Sequence, residues 1–173
     1  MKIYLVRHGE KELDGEDPPL TEHGEIQVIL LARRLKHEKI TASRIYSTNH
    51  SRSVKTAEIL SRTLALPVVR DDRLRELEKA LFNEHNSAVE HDDVQTVKLF
   101  VEEIVSRRQD IILAMHGGIN RAVISYLTGM GLSDTRHFFM DFASVSLIEL
   151  VDISGEMKWR VKMLNDTTHL RVP

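Results

Sequence analysis

Two short apolar runs, more than a hundred residues apart, end in the same way, and this repetition constrains the fold more than any other feature of the chain. Ile3-Tyr4-Leu5-Val6 leads into Arg7-His8-Gly9, and the run at residues 110–115 leads into His116-Gly117-Gly118. Short continuous apolar runs cut off by polar residues and glycine read as strands covered on both faces. If the two strands lie parallel, both histidines stand at carboxyl ends on one edge of a sheet, where open α/β sheets take their ligands.

The rest of the pattern agrees with such a sheet. Residues 10–19 are polar and contain Gly and Pro, which predicts a loop. Thr21 can cap a helix over residues 22–37, with Ile26, Ile29 and Leu30 on its inward face. A short strand is predicted at 44–47. A helix capped by Thr48 or Asn49 follows, its Val54, Ala57, Leu60 and Leu64 recurring at helical spacing. Pro67 stops it and Val68-Val69 begins a third strand. Residues 71–93 are polar and show no period. Val94, Val97, Val101, Ile104 and Val105 then make an amphipathic stripe over 93–108. Residues 120–127 read as helix, 129–142 as a connection, and 144–151 and 157–164 as two strands joined by a turn at 152–155. Alternating strands and helices predict a three-layer α/β/α sandwich, with a largely parallel sheet and a hairpin at one edge. With 173 residues and no internal repeat, the chain is expected to form a single domain, 1–173, with a short cap segment around 77–92.

Composition narrows the chemistry. There is no cysteine, which removes disulfides, thiolate metal sites and cysteine nucleophiles. A net charge of −2 gives no support for a nucleic-acid partner. The apolar run at 3–6 is too short for a signal-peptide core or a membrane span, so a cytoplasmic protein with no membrane partner is the default expectation.

What the edge of the sheet offers is positive charge. Arg52 falls in the first turn of the second helix, near an N-terminus that itself favours anions. Two arginines, two histidines and a helix end would converge on a pocket suited to a phosphate dianion. Arginine supplies a planar, permanently charged fork of donors. Imidazole can serve as an unprotonated nucleophile at one position and a cationic donor at another.

These residues also carry a family resemblance. Val6-Arg7-His8-Gly9-Glu10 resembles the signature of the histidine phosphatase superfamily, which includes the cofactor-dependent phosphoglycerate mutases. Leu20-Thr21-Glu22-His23-Gly24 with Gln27, Tyr46-Ser47 followed by Arg52 and Thr56-Ala57, Arg73-Leu74-Arg75-Glu76-Leu77, and His116-Gly117-Gly118 resemble further family motifs in order. Ala143-Ser144-Val145-Ser146 and Asn165-Asp166-Thr167-Thr168-His169-Leu170 resemble the closing segments of its small phosphatase members. The resemblance implies a phosphoglycerate mutase-like fold and hydrolysis of phosphomonoesters through a phosphohistidine. It makes His8 the nucleophile, Arg7, Arg52 and His116 the phosphate ligands, with His116 also in the catalytic set, and Glu76 the proton carrier. No cofactor and no metal are expected, because guanidinium groups supply the charge. The substrate would be a phosphorylated small molecule or a phosphoprotein. A protein phosphohistidine phosphatase is the alternative; a phosphoglycerate mutase or a non-catalytic phosphate-binding protein weighs less.

The chain departs from the family pattern in places. Asp14 stands six residues after His8, where mutases carry Asn and short phosphohistidine phosphatases carry Asp; a carboxylate there must turn away or be protonated. Thr48-Asn49-His50 replaces the usual Ser-Pro-Leu, which reads as harmless. The acidic and histidine-bearing residues at 84–93 match no ligand spacing and read as a solvated loop. His23, His37, His50 and His137 are expected to be surface or capping residues, while His169 could close over the site edge. No Gly-x-Ser-x-Gly elbow and no Walker loop is present, which excludes an α/β-hydrolase esterase and a P-loop enzyme.

Overall fold

A computed structural model describes residues 1–75 and 87–171. A six-stranded sheet is built from β1 (Lys2–Arg7), β2 (Ile45–Ser47), β3 (Val68–Arg70), β4 (Ile111–Met115), β5 (Val145–Ile153) and β6 (Glu156–Asp166). Among the described residues four helices cover it: α1 (Glu22–His37), α2 (Ser51–Leu64), α3 (Ser87–Ser106) and α4 (Gly117–Thr128). The strand order is β3-β2-β4-β1-β5-β6. The first four strands of that order are parallel, and β5 and β6 add an antiparallel hairpin. This is the expected sandwich. Among the described residues no helix is long and apolar enough to cross a membrane.

Strand alternation divides the core in two. Ile3, Leu5, Leu113 and Met115 face α3 and α4, meeting Phe100, Val101, Ile104, Ile119 and Val123. Tyr4, Val6, Ile112 and Ala114 face α1 and α2, meeting Val28, Leu31, Leu35, Ala57 and Leu60. Full burial of each large aliphatic side chain is worth about 1.5–3 kcal/mol, so residues such as Leu5 and Leu113, both 0 % exposed, hold β1 and β4 at the centre.

Several boundaries differ from those predicted. In α1 the inward residues are Val28, Leu31, Ala32 and Leu35, while Ile26 is 54 % exposed. The residue capping α2 is His50 rather than Thr48 or Asn49. Helix α3 begins at Ser87, so 87–92 of the expected cap segment, and most of the polar stretch read as a solvated loop, are helical. Helix α4 starts directly at Gly117, and the connection after it contains a 3-10 helix, Leu132–His137. In α1 two apolar stripes overlap; at the other places polar residues and glycine dominate, and hydrophobic periodicity is silent there.

Candidate phosphate site

The parallel pairing of β1 with β4 sets Arg7 opposite Met115. The next residue of each strand, His8 and His116, therefore leaves the sheet at the same edge. His8 N–H donates to the Met115 carbonyl (2.9 Å), and the His8 carbonyl accepts from Ala143 N–H (3.0 Å). The two imidazoles meet edge to face, with ring centroids 5.2 Å apart. Both are buried.

The first-helix motif holds this turn in place. Thr21 Oγ1 caps α1 by accepting from Gly24 N–H (2.9 Å), and its own hydroxyl donates to Glu10 Oε1 (3.0 Å). Gln27 Oε1 accepts from Glu10 N–H at 2.9 Å. A Cβ on Gly9 would lie 2.3 Å from the Gly24 carbonyl oxygen, and one on Gly24 would lie 2.1 Å from that of Glu10. Glycine at position 9 is thus required by the approach of α1. At Gly117 a Cβ would make only ordinary contacts, the nearest being Arg7 at 3.7 Å.

His8 is held in one tautomer. Its Nδ1 is 2.7 Å from the Gly9 carbonyl oxygen; a carbonyl can only accept, so Nδ1 carries the hydrogen and Nε2 keeps its lone pair. Burial, then the nearby His116, push the His8 pKa down to about 3, against a weaker upward pull from the Gly9 hydrogen bond. Arg7 and Arg52 lower it further. The result is an unprotonated imidazole nitrogen beside cationic groups, which is a competent nucleophile toward phosphorus.

The other groups surround that nitrogen's neighbourhood. His116 Nε2 lies 3.4 Å from Thr48 Oγ1 and 3.3 Å from Ser53 Oγ. Arg52 is 6 % exposed in the first turn of α2, and its guanidinium reaches Asp17 Oδ1 at 3.4 Å. The Arg7 side chain passes Gly117, donates to the Met140 carbonyl and lays its Cζ 4.2 Å from the centroid of the Phe142 ring. Phe142 also packs against His8, with centroids 5.6 Å apart. The closing motif supports this loop: Asn165 accepts from Asp141 N–H (2.6 Å) and donates to the Asp141 carboxylate (2.7 Å). His169 lies on a 3-10 turn packed on α1, half-buried, with its pKa lowered by burial and then by Arg34.

Arg7, His8, Arg52 and His116 are therefore brought to one edge. Glu76 lies outside the described residues. Asp14 is exposed on its loop. His23, His37 and His137 are exposed as expected. His50 holds the cap position of α2, but it also belongs to the site: its ring meets that of His116 at 5.1 Å, and its Nδ1 is 3.2 Å from Asp17 Oδ1. Asp17 also accepts from Ser51 N–H (2.9 Å) and Ser51 Oγ (2.6 Å), so the anion-favouring end of α2 is met by the protein's own carboxylate. A cavity of about 380 Å³ adjoins these groups, lined by Glu16, Asp17, Thr48, Asn49, His50, Asp72 and Arg75. Among the described residues, no three His, Asp or Glu side chains are grouped to hold a metal ion. Sequence reasoning missed Thr48, Ser53, His50 and Asp17; the departure at Thr48-Asn49-His50 was the one available signal.

A sandwich with two histidines at adjacent strand ends and a buried helix arginine beside them defines a class of phosphoryl-handling α/β proteins. Comparison with known proteins gives the family: the chain belongs to the histidine phosphatase superfamily (branch 1), whose sequence model matches residues 3–94 and 91–167. A Hydrogenobacter thermophilus protein named "Putative phosphoserine phosphatase 2" is 30% identical over 207 residues, covering 98% of each chain. "Probable phosphoglycerate mutase GpmB" of Cronobacter sakazakii is 31% identical over 212 residues, covering 100% of this chain and 96% of the relative. Among solved structures, a putative alpha-ribazole-5'-P phosphatase from Escherichia coli superposes with a TM-score of 0.80 at 22% identity, over 96% of this chain and 97% of that one.

Proposed function

We propose that the chain is a metal-independent phosphatase that hydrolyses phosphomonoesters through a phosphohistidine on His8. The observation that carries this reading is the setting of the His8 ring: Nδ1 is bound to the Gly9 carbonyl, and burial beside His116 lowers the ring's pKa, which together leave Nε2 with a free lone pair. In the proposed mechanism Nε2 attacks phosphorus in line, and the P–N bond forms as the bond to the leaving oxygen breaks. His116, Arg52 and Arg7 hold the equatorial oxygens, where charge is concentrated. Glu76 protonates the leaving oxygen, then takes a proton from the water that cleaves the P–N bond. Guanidinium groups do the electrostatic work that a Lewis acid does elsewhere. Hydrolysis is favoured over transfer because the chain is lean: the alignment to the C. sakazakii relative named a probable phosphoglycerate mutase spans 212 positions against 173 residues here, so that relative has segments without counterpart.

The test is turnover of p-nitrophenyl phosphate by wild type and His8→Ala, each before and after exhaustive chelation. Wild type is expected to be unaffected by EDTA, and His8→Ala to lose at least about 1000-fold in kcat while remaining folded, since losing a nucleophile removes the covalent route altogether. Activity abolished by chelation and restored by a divalent ion would overturn the metal-independent assignment.

A further inference from the structure

His50 is left unused by the roles assigned above, yet it is built into the site. It touches His116, its Nδ1 is anchored on Asp17, and it lines the adjoining cavity. It thus lies between His116 and the adjoining cavity. Although burial works the other way, hydrogen bonds from Ser51 and His50 hold the Asp17 carboxyl below its ordinary value. An ionised carboxylate is acceptor-only, so the Nδ1 facing it carries the hydrogen, and in the neutral tautomer this contact selects Nε2 is the acceptor. The titratable and charged groups around His50 are His116, Arg52 and Asp17 on one side and Glu16, Asp72 and Arg75 across the cavity. Carboxylates outnumber cations on the cavity wall, which favours the same kind of partner as an accepting Nε2.

We propose that His50 is a specificity-determining residue: Nε2, with Nδ1 fixed on Asp17, accepts a hydrogen bond from the leaving group and selects phosphomonoesters whose leaving group carries an ammonium or hydroxyl donor near the ester oxygen. This rests on the reading of His8, His116 and Arg52 as the phosphate site. A site built to hydrogen-bond one group discriminates against the analogue that lacks it, because its own polar atom is then left unpaired.

The experiment measures dissociation constants at pH 8 in the His8→Ala background, where no turnover is needed. The probes are phosphoethanolamine, ethyl phosphate and inorganic phosphate. Phosphoethanolamine is expected to bind about tenfold more tightly than ethyl phosphate, as one hydrogen bond to a charged group implies. Adding His50→Leu should bring that ratio close to one. Adding His50→Gln should restore part of it, since the Gln amide reaches the position of Nε2, whereas His50→Asn, which mimics Nδ1, should not. A purely structural role would weaken all three probes together and leave the ratio unchanged, and that result overturns the proposal. Failure of inorganic phosphate itself to bind would instead overturn the phosphate-site reading, and this proposal with it.

Discussion

At the scale of single residues, His8 has a cost that can be measured apart from catalysis. Burial, the neighbouring His116 and the nearby arginines keep its pKa at about 3 in the folded protein, whereas an unfolded histidine titrates near 6.5. Between those values the unfolded chain binds a proton that the folded one refuses, so stability must fall as pH drops through that window. Replacing His8 by Gln removes the proton-binding group from both states. From pH 7 to pH 5 the wild type should lose about 1–2 kcal/mol more than His8→Gln in urea unfolding, an order of magnitude set by about 1.4 kcal/mol for each tenfold difference in proton affinity between the two states. Identical pH dependence in the two proteins would mean that the ring is not held neutral. His8, His116 and Arg52 could be read in sequence because each ends or begins a patterned element. Thr48, Ser53, His50 and Asp17 could not, because contacts among polar groups from separate loops leave no periodic trace.

At the scale of elements, the rotation of α1 is the instructive case. Its sequence offers two overlapping apolar stripes, one through Ile26, Ile29 and Leu30 and one through Val28, Leu31, Ala32 and Leu35. Hydrophobicity does not choose between them. Gly24 does, because it must face the Glu10 backbone, and the residues stacked on its face of the helix are Val28, Leu31, Ala32 and Leu35. Strands β1 and β4, in contrast, were legible outright, since apolar continuity is itself the signal of burial on both faces. Gly24→Ala is therefore expected to destabilise the protein by about 2 kcal/mol despite the better helix propensity of Ala, because the clash is with backbone that cannot rotate away. Gly117→Ala should cost far less, as its new methyl meets only ordinary contacts. Thermal and urea unfolding of the pair would check this, and equal costs would contradict it.

At the scale of the whole molecule, the three-layer sandwich and its edge hairpin were legible from the alternation of elements, and the shared edge of His8 and His116 from the two strand endings, whereas the order β3-β2-β4-β1-β5-β6 was not. The stretch from Glu76 to the start of α3 has no apolar period and was not legible. Little chain lies between the 3-10 turn Asp72–Leu74 and Ser87, where α3 begins. A site with so little chain available to shield it should lose its phosphoenzyme to water rather than pass the group to a second sugar acid. Purified protein is accordingly expected to show no significant interconversion of 3-phosphoglycerate and 2-phosphoglycerate while hydrolysing small phosphomonoesters; a robust mutase rate would refute this. The central claim, covalent transfer through His8, is tested most directly by rapid quenching with a ³²P-labelled substrate, followed by measuring the stability of the protein-bound label. Label that is lost in acid, retained in base and absent from His8→Ala is the predicted result. Label that resists acid, as a phosphoserine or phosphothreonine would, or that persists in His8→Ala, would contradict the account.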